Sequence, residues 1–455
     1  MERFKKLLMR IDMTEGTPWK KLGIFAIPMI IGNIFQQLYS ISDAIILGRF
    51  IGDYALAAIG SSMPLFFLII VVMMGVSMGV SIMVSQYFGA KNREGISYTV
   101  GNGITIVAVI GVLMMAAGPF LSRPLLLLLG TPVEILDDSV MYMNILLLGI
   151  LGMAYFNVLS GVLRGLGDSY SPLKYLIISN LLNIVFNFLF IAVFGWGMPA
   201  VAVGTVLAQG LSSFLCLRRL MKMQDTFDIG MKYLRPKKEY VTKTMKLGIP
   251  SGASQGIIAI GMMIIQPLVN DFGPMVIATN VIVMRIDGLV MMPIFSFSNA
   301  MTIYAGQNMG AGKIDRISKG TKQGAILAVS VCAVLVAIIL IFGRFIAEAF
   351  THTQEVIDLS QQLLRILAPG FLALTLAMVL WGTIRGAGDA TSPMWVAFIN
   401  TVVIRIPSAY LFVHLLGRPE AIMLSMLTAW TVNMILSITV YRIGKWKSKG
   451  IVKPE

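Results

Sequence analysis

Twelve apolar runs separated by short polar interruptions account for most of this chain: 22–47, 55–86, 97–121, 140–163, 174–194, 200–218, 246–269, 276–304, 323–343, 361–383, 394–415 and 421–441. About 20 apolar residues cross a bilayer as a helix, and a backbone facing lipid can satisfy its N–H and C=O groups only within its own turns. With 57% apolar and 13% charged residues over 455 positions, and a mean hydropathy of +0.82, the chain cannot be a string of soluble domains. It reads as an all-α polytopic membrane protein of twelve transmembrane helices. Several runs exceed the bilayer thickness, so tilt or protrusion into water is expected.

Other classes fall away on residue counts. Two cysteines, Cys216 and Cys332, make neither a disulfide framework nor a thiolate metal site, and two histidines, His352 and His414, make no histidine metal centre. The net charge of +14 is spread over loops and forms no nucleic-acid-binding face. The basic start (Arg3, Lys5, Lys6, Arg10) leads into an apolar run longer than a signal h-region with no small-residue cleavage site, so no cleaved leader is expected.

The basic residues set orientation. If the N-terminus is cytoplasmic, inside segments carry 29 Lys and Arg, against four outside: Arg49, Arg123, Arg344 and Arg418. Such a bias puts both termini in the cytoplasm. The basic linker 218–245 (Arg218, Arg219, Lys222, Lys232, Arg235, Lys237, Lys238, Lys243) is expected to be an orientation signal and solvated hinge, with an anionic-lipid site as the other reading.

The chain repeats itself. Residues 163–172 read LRGLGDSYSP and 384–393 read IRGAGDATSP, an offset of 221 that also pairs Gln86–Gly89–Ala90 with Gln307–Gly310–Ala311. Spans one to six are thus duplicated as seven to twelve. Six is even, so the two six-helix bundles should be related by a pseudo-two-fold axis along the membrane normal. The expected division is an N-lobe over 1–217, the linker 218–245 and a C-lobe over 246–455. Two like-oriented bundles with a cleft between them are the plan of a transporter that rocks about its seam. In each R-G-x-G-D turn, glycine permits the chain reversal and Asp168 or Asp389 can cap the next helix. Arg164 and Arg385 read as anchors at the cytoplasmic interface. The stretch Gly310-Ala311-Gly312-Lys313-Ile314 resembles part of a phosphate loop but lacks the upstream glycine and the Ser/Thr after lysine. Energy should therefore come from an ion gradient or a partner chain.

Polar residues inside spans mark function. Asp43, in the outer half of span one, shares a helix face with Gln36 and Tyr39, seven and four residues earlier. It is the only N-half carboxylate within a span. Span five carries Asn180, Asn183 and Asn187; span six adds Thr205 and Gln209. A carboxylate, amide oxygens and a hydroxyl suit Na⁺ or a proton-exchanging acid; the competing reading is interhelical hydrogen bonding alone. The C-half ionisable residues are Arg285, Asp287, Arg365 and Arg405, with Asp287 reading as a structural partner of Arg405 or Arg365. Met262, Met263, Met284, Met291 and Met292 could form a surface that repacks around apolar ligands, or plain core filler.

With these residues in view, the chain resembles the multidrug and toxic compound extrusion (MATE) family, in its DinF-type branch, over about residues 15–445. The resemblance rests on the first-span pattern of Pro28, Gln36, Tyr39 and Asp43, the paired R-G-x-G-D turns, N-I-V-F-N in span five and R-I-P-S-A-Y at 405–410. It implies two bundles around a central cavity and export of small organic, often cationic, compounds in exchange for H⁺ or Na⁺, from the plasma membrane of a prokaryote and without a cofactor or enzymatic step. Asp43 looks like the family's N-lobe coupling acid, with Asn183 and Thr205 as its partners. Asn187 stands where many members have a second acid, which points to H⁺ over Na⁺. Gln36, Tyr39, Asn157 and Asn180 resemble substrate-cavity positions, and Pro28 the first-span proline whose bending is tied to coupling. A functional monomer with no nucleic-acid partner is the implied state. The alternative is a lipid-linked oligosaccharide flippase of related architecture, which would need several cavity cations where the N-half spans show none. A non-transporting receptor or scaffold is the reading from another class.

Overall fold

The computed structural model describes residues 10–452, so Arg3, Lys5 and Lys6 of the basic start lie outside the described residues. No strand occurs among them, and eleven helices are long and apolar enough to cross a membrane, or twelve crossings if one bent pair is a single span. In order they are α1 (Pro18–Phe50), α2 (Asp53–Gly89), α3 (Arg93–Leu128), the bent pair α4 (Val133–Leu148) and α5 (Ile150–Gly165), α6 (Tyr170–Phe188) and α7 (Pro199–Met221). A short α8 (Met231–Leu234) precedes α9 (Lys238–Asn270), α10 (Pro274–Gly310), α11 (Ile314–Glu348), α12 (Gln354–Gly386), α13 (Thr391–Phe398), α14 (Ile406–Leu416) and α15 (Glu420–Ile443). Helices α13 and α14 are joined through a π-helical stretch, Ile399–Arg405, and α6 ends in another, Leu189–Val193.

The bend of 51° between α4 and α5 falls at Gly149. Glycine weakens a helix interior, and Val206 of α7 occupies the space that a side chain at 149 would need.

The chain divides into two compact units: 10–12 with 27–252, and 13–26 with 253–452. Helices α1 and α9 are thus each split between units. In the first unit, α9 crosses α2 at glycine: a Cβ on Gly75 would stand 2.7 Å from the Gly248 carbonyl oxygen. Small residues let two helices approach to backbone contact, and lipid-embedded helices associate through such packing. In the second unit, Met13 is fully buried; its N–H donates to Gln307 Oε1 at 2.9 Å and its carbonyl accepts from Asn308 Nδ2 at 3.1 Å. The repeat residue Gln307 therefore seats the start of the chain.

The two R-G-x-G-D turns are built alike. Gly167 and Gly388 hold φ of +88° and +107°, a region that favours glycine. Asp168 accepts from the Ser171 N–H (2.9 Å) and hydroxyl (2.7 Å), and Asp389 does the same with Ser392 (3.1 and 2.7 Å). Both aspartates are thus helix caps.

The linker is not the solvated hinge expected from its charge. Residues 224–237 are strapped along the start of α3. Arg93 donates to the Gln224 carbonyl (2.6 Å) and pairs with Asp228 (2.6 Å), the Asp228 N–H donates to Ser97 Oγ (2.8 Å), and Asn102 Oδ1 accepts from the Lys237 N–H (2.8 Å). The Lys237 ammonium sits 3.4 Å above the Tyr98 ring. Charge predicted exposure, but the linker's backbone groups find partners on Ser97, Asn102 and Thr105, which α3 presents on one face.

Candidate functional site

Helices α1, α6 and α7 bring the intramembrane polar residues of the first unit together. Asn183 and Asn187, one turn apart on α6, are both buried, because α6 turns that face toward α7. The Asn187 amide donates both hydrogens: one to Asp43 Oδ1 on α1, the other to Asn183 Oδ1 at 2.8 Å. Asn183 Nδ2 donates in turn to Thr205 Oγ1 on α7 (3.2 Å), and Thr205 donates to the Val201 carbonyl (2.9 Å). The Tyr39 hydroxyl, one turn below Asp43, stands 3.5 Å from the same Thr205 oxygen. Five residues from three helices thus form one relay ending on a single carboxylate.

The relay has a polarity. Asn187 presents N–H to Asp43, while its own Oδ1 has no hydrogen-bond partner. That oxygen lies against Gly204, where a Cβ would overlap it. Asp43 accepts through Oδ1, which both the ionised carboxylate and the carbonyl oxygen of the protonated acid can do, the charged form more strongly. The same donor set bears on Na⁺. Asp43 and the unpartnered Asn187 Oδ1 supply oxygens, while Asn183 Oδ1 already accepts from Asn187 and Thr205 Oγ1 from Asn183.

Gln36, Asn157 and Pro28 lie elsewhere. They line a separate cavity of about 270 Å³, with Asn33, Met74, Phe156, Arg164, Ser169 and Gln209 also on its wall. Asn180 is buried with its amide nitrogen unpartnered and takes no part in the relay. The four expected cavity residues are therefore divided: Gln36 and Asn157 on the cavity, Tyr39 in the relay, Asn180 in neither.

Arg164 differs from the sequence reading. It lines the cavity, so the first half of the chain does carry a cavity cation. Helix α5 runs to Gly165, past the expected end at 163, and Asp168 takes Arg219 of α7 as its ion pair (3.1 Å). Arg164, without that carboxylate, faces the cavity. Tyr142 was also missed: it is buried on α4 near Tyr39 and Asp43. No spacing rule links position 142 to 43; only the packing of α4 does.

In the second unit, Asp287 and Arg405 line one small cavity of about 70 Å³ with Met262, Met284, Met423 and Met426. Arg365 is exposed. Asp287 Oδ1 and Arg405 Nε are buried without hydrogen-bond partners. The π-helical stretch ends on Arg405 and, by inserting an extra residue per turn, sets where that side chain emerges.

A family model, MatE, matches residues 28–189 and again 250–411, the second match starting 222 residues after the first. The chain belongs to the MatE family, and its two halves are repeats of that family's unit. It is similar to the probable multidrug resistance protein YpnP of Bacillus subtilis, 30% identical over 438 residues (96% of this chain, 98% of the relative). It is also 28% identical over 466 residues to the probable multidrug resistance protein YoeA of the same organism, covering all of this chain and 99% of the relative. Among solved structures, a MATE protein in complex with MaL6 superposes with a TM-score of 0.90 at 25% identity, over 96% of this chain and 98% of that one.

Proposed function

We propose that this protein is a multidrug exporter of the DinF-type branch that exchanges organic, often cationic, compounds for protons. The carrying observation is the relay that ends on Asp43, a lone carboxylate held by a hydrogen-bond donor among buried amides. Relatives carrying multidrug resistance names over the whole chain length support the same reading.

A proton reaching Asp43 removes the charge that strengthens the Asn187 N–H bond, and so loosens the tie between α1 and α6. Asn187, Asn183, Thr205 and Tyr39 are coupled through that step, and three helices feel it. A ligand shifts a conformational equilibrium only by its differential affinity for the two states, so proton and drug must favour opposite states of the same helices. Pro28, on the cavity wall and inside α1, is a point where α1 can bend. The protein works as a monomer in a prokaryotic plasma membrane, and the 29-to-4 distribution of basic residues supports both termini being cytoplasmic. An amide at 187, where many members have a second acid, supports H⁺ over Na⁺. No separate observation favours the flippase alternative.

The test is efflux of rhodamine 123 from proteoliposomes under a proton gradient or a sodium gradient, with wild type beside Asp43→Asn. Proton-driven efflux absent from the variant is the expected result. Undiminished efflux by Asp43→Asn would remove Asp43 from coupling, and sodium-driven efflux by the wild type would replace the proton.

A further inference from the structure

The docked linker carries more positive charge than its acids neutralise. Its three carboxylates are all engaged: Asp225 by Arg10 (3.1 Å), Asp228 by Arg93 (2.6 Å) and Glu239 by Lys243 (2.6 Å). Arg219 is held by Asp168 (3.1 Å). Among the described residues no carboxylate comes within ion-pair distance of Arg218, Lys222, Lys232, Arg235, Lys237 or Lys238, and all six are exposed. The same segment turns apolar side chains both inward and outward. Met223 and Phe227 are buried, whereas Ile229 is 49% exposed and Met231 81%. Bases interleaved with outward apolar groups suit the boundary between lipid headgroups and acyl chains; a bare phosphate or a nucleic acid would have no use for the apolar ones.

The depth of the strap agrees. It is bonded to α3 from Ser97, which accepts from the Asp228 N–H, to Thr105, whose hydroxyl donates to the Leu234 carbonyl at 2.6 Å. Those two residues stand about 12 Å apart along the axis of α3, and both lie in the third apolar run, 97–121. That stretch corresponds to the headgroup zone and the edge of the hydrocarbon. We infer that residues 218–238 are a docking surface for anionic phospholipid of the cytoplasmic leaflet, the six bases meeting phosphodiester headgroups while Ile229 and Met231 enter the acyl boundary. Four to eight Lys and Arg clustered beside a membrane helix suffice for such recognition. The bonds to α3 order the bases before lipid arrives, which lowers the entropic cost of binding. The surface depends on the cytoplasmic placement of the linker proposed above and not on the coupling ion or the exported compound.

Cys216 and Cys332 are both buried, so Met231→Cys gives one exposed thiol for a nitrobenzoxadiazole label on the full chain. The protein is placed in nanodiscs of equal parts phosphatidylglycerol and phosphatidylcholine, with bromine on the acyl chains of one lipid or of the other. Brominated phosphatidylglycerol is expected to quench the label at least twofold more than brominated phosphatidylcholine, and about 0.5 M salt should erase the difference by screening. Lys232→Gln, Arg235→Gln and Lys238→Gln together should make the two lipids equal; Lys232→Arg with Lys238→Arg should keep the preference. None of these side chains makes the bonds that hold the strap to α3, and label anisotropy reports that it stays docked. Equal quenching by both lipids in wild type, no quenching by either, or a preference that survives the triple glutamine variant overturns the surface. A quencher-bearing single-stranded oligonucleotide that displaces phosphatidylglycerol from the label would assign the face to nucleic acid and sink the lipid reading. Efflux by Asp43→Asn is a separate measurement, so the lipid surface and the exporter reading can fail independently.

Discussion

Gly204 lies directly against the amide oxygen of Asn187, the residue whose two N–H bonds reach Asp43 and Asn183. A position with no side chain on α7 thus sets how far the α6 amide can stand from the α1 carboxylate. The residue is not polar and contributes no hydrogen bond, yet it shapes the relay.

Replacing it tests that geometry. Gly204→Ala puts a methyl group where the Asn187 oxygen sits, and overpacking of this kind costs about 1–3 kcal/mol when neighbours must move. Gradient-driven dye efflux should fall about tenfold, with dye binding retained. Full-rate efflux would show that the Asn187 position does not matter to coupling.

Asn187→Asp tests the choice of ion. Two carboxylates side by side repel unless a cation lies between them, and the variant would give the cluster the anionic oxygens it lacks. Efflux driven by a sodium gradient should appear in this variant and be absent from wild type. An unchanged ion dependence would mean that the amide at 187 does not decide the ion.

Gly75→Val tests the helix crossing. A Cβ at 75 meets the Gly248 carbonyl and forces α2 and α9 apart, whereas nothing lies within 4 Å of a Cβ at Gly60. Gly75→Val should lose about 1–3 kcal/mol of stability, read as a lower unfolding temperature in detergent. Gly60→Ala should be neutral. Equal behaviour of the two would remove the close approach as the cause.

The strap along α3 has a pH dependence. The Arg93 guanidinium beside Asp228 holds its carboxyl below the usual carboxylate range. A depressed carboxylate contributes its stability above its ordinary value, near 3.9, and loses it as pH falls through the lower folded value. A spin label at the exposed Met231 should therefore be immobile at neutral pH and loosen only in strong acid. In Arg93→Ala it should already be mobile at pH 7. A wild-type label mobile at pH 7 would mean that the strap is not docked in solution.

Much of this was legible along the chain. Helices that must satisfy their own backbone in lipid announce themselves as apolar runs, and a duplication preserves its turns, so the all-helical membrane fold and the repeat follow from order and composition. The i, i+4 spacing placed Asn183 beside Asn187 and Tyr39 beside Asp43, since neighbours on a helix face are a local matter. What joins helices was not local. Tyr142 and Gly204 carry no signal that ties them to Asp43, and the charge of the linker hid its docking on α3. Arg164 read only as an anchor, because whether it lines a cavity depends on how α5 packs and on Asp168 pairing with Arg219. Apolar runs and helical spacing are enough to give the helices and the polar face each carries. Which faces meet depends on packing across the whole bundle, and that packing separates the relay at Asp43 from the cavity at Arg164.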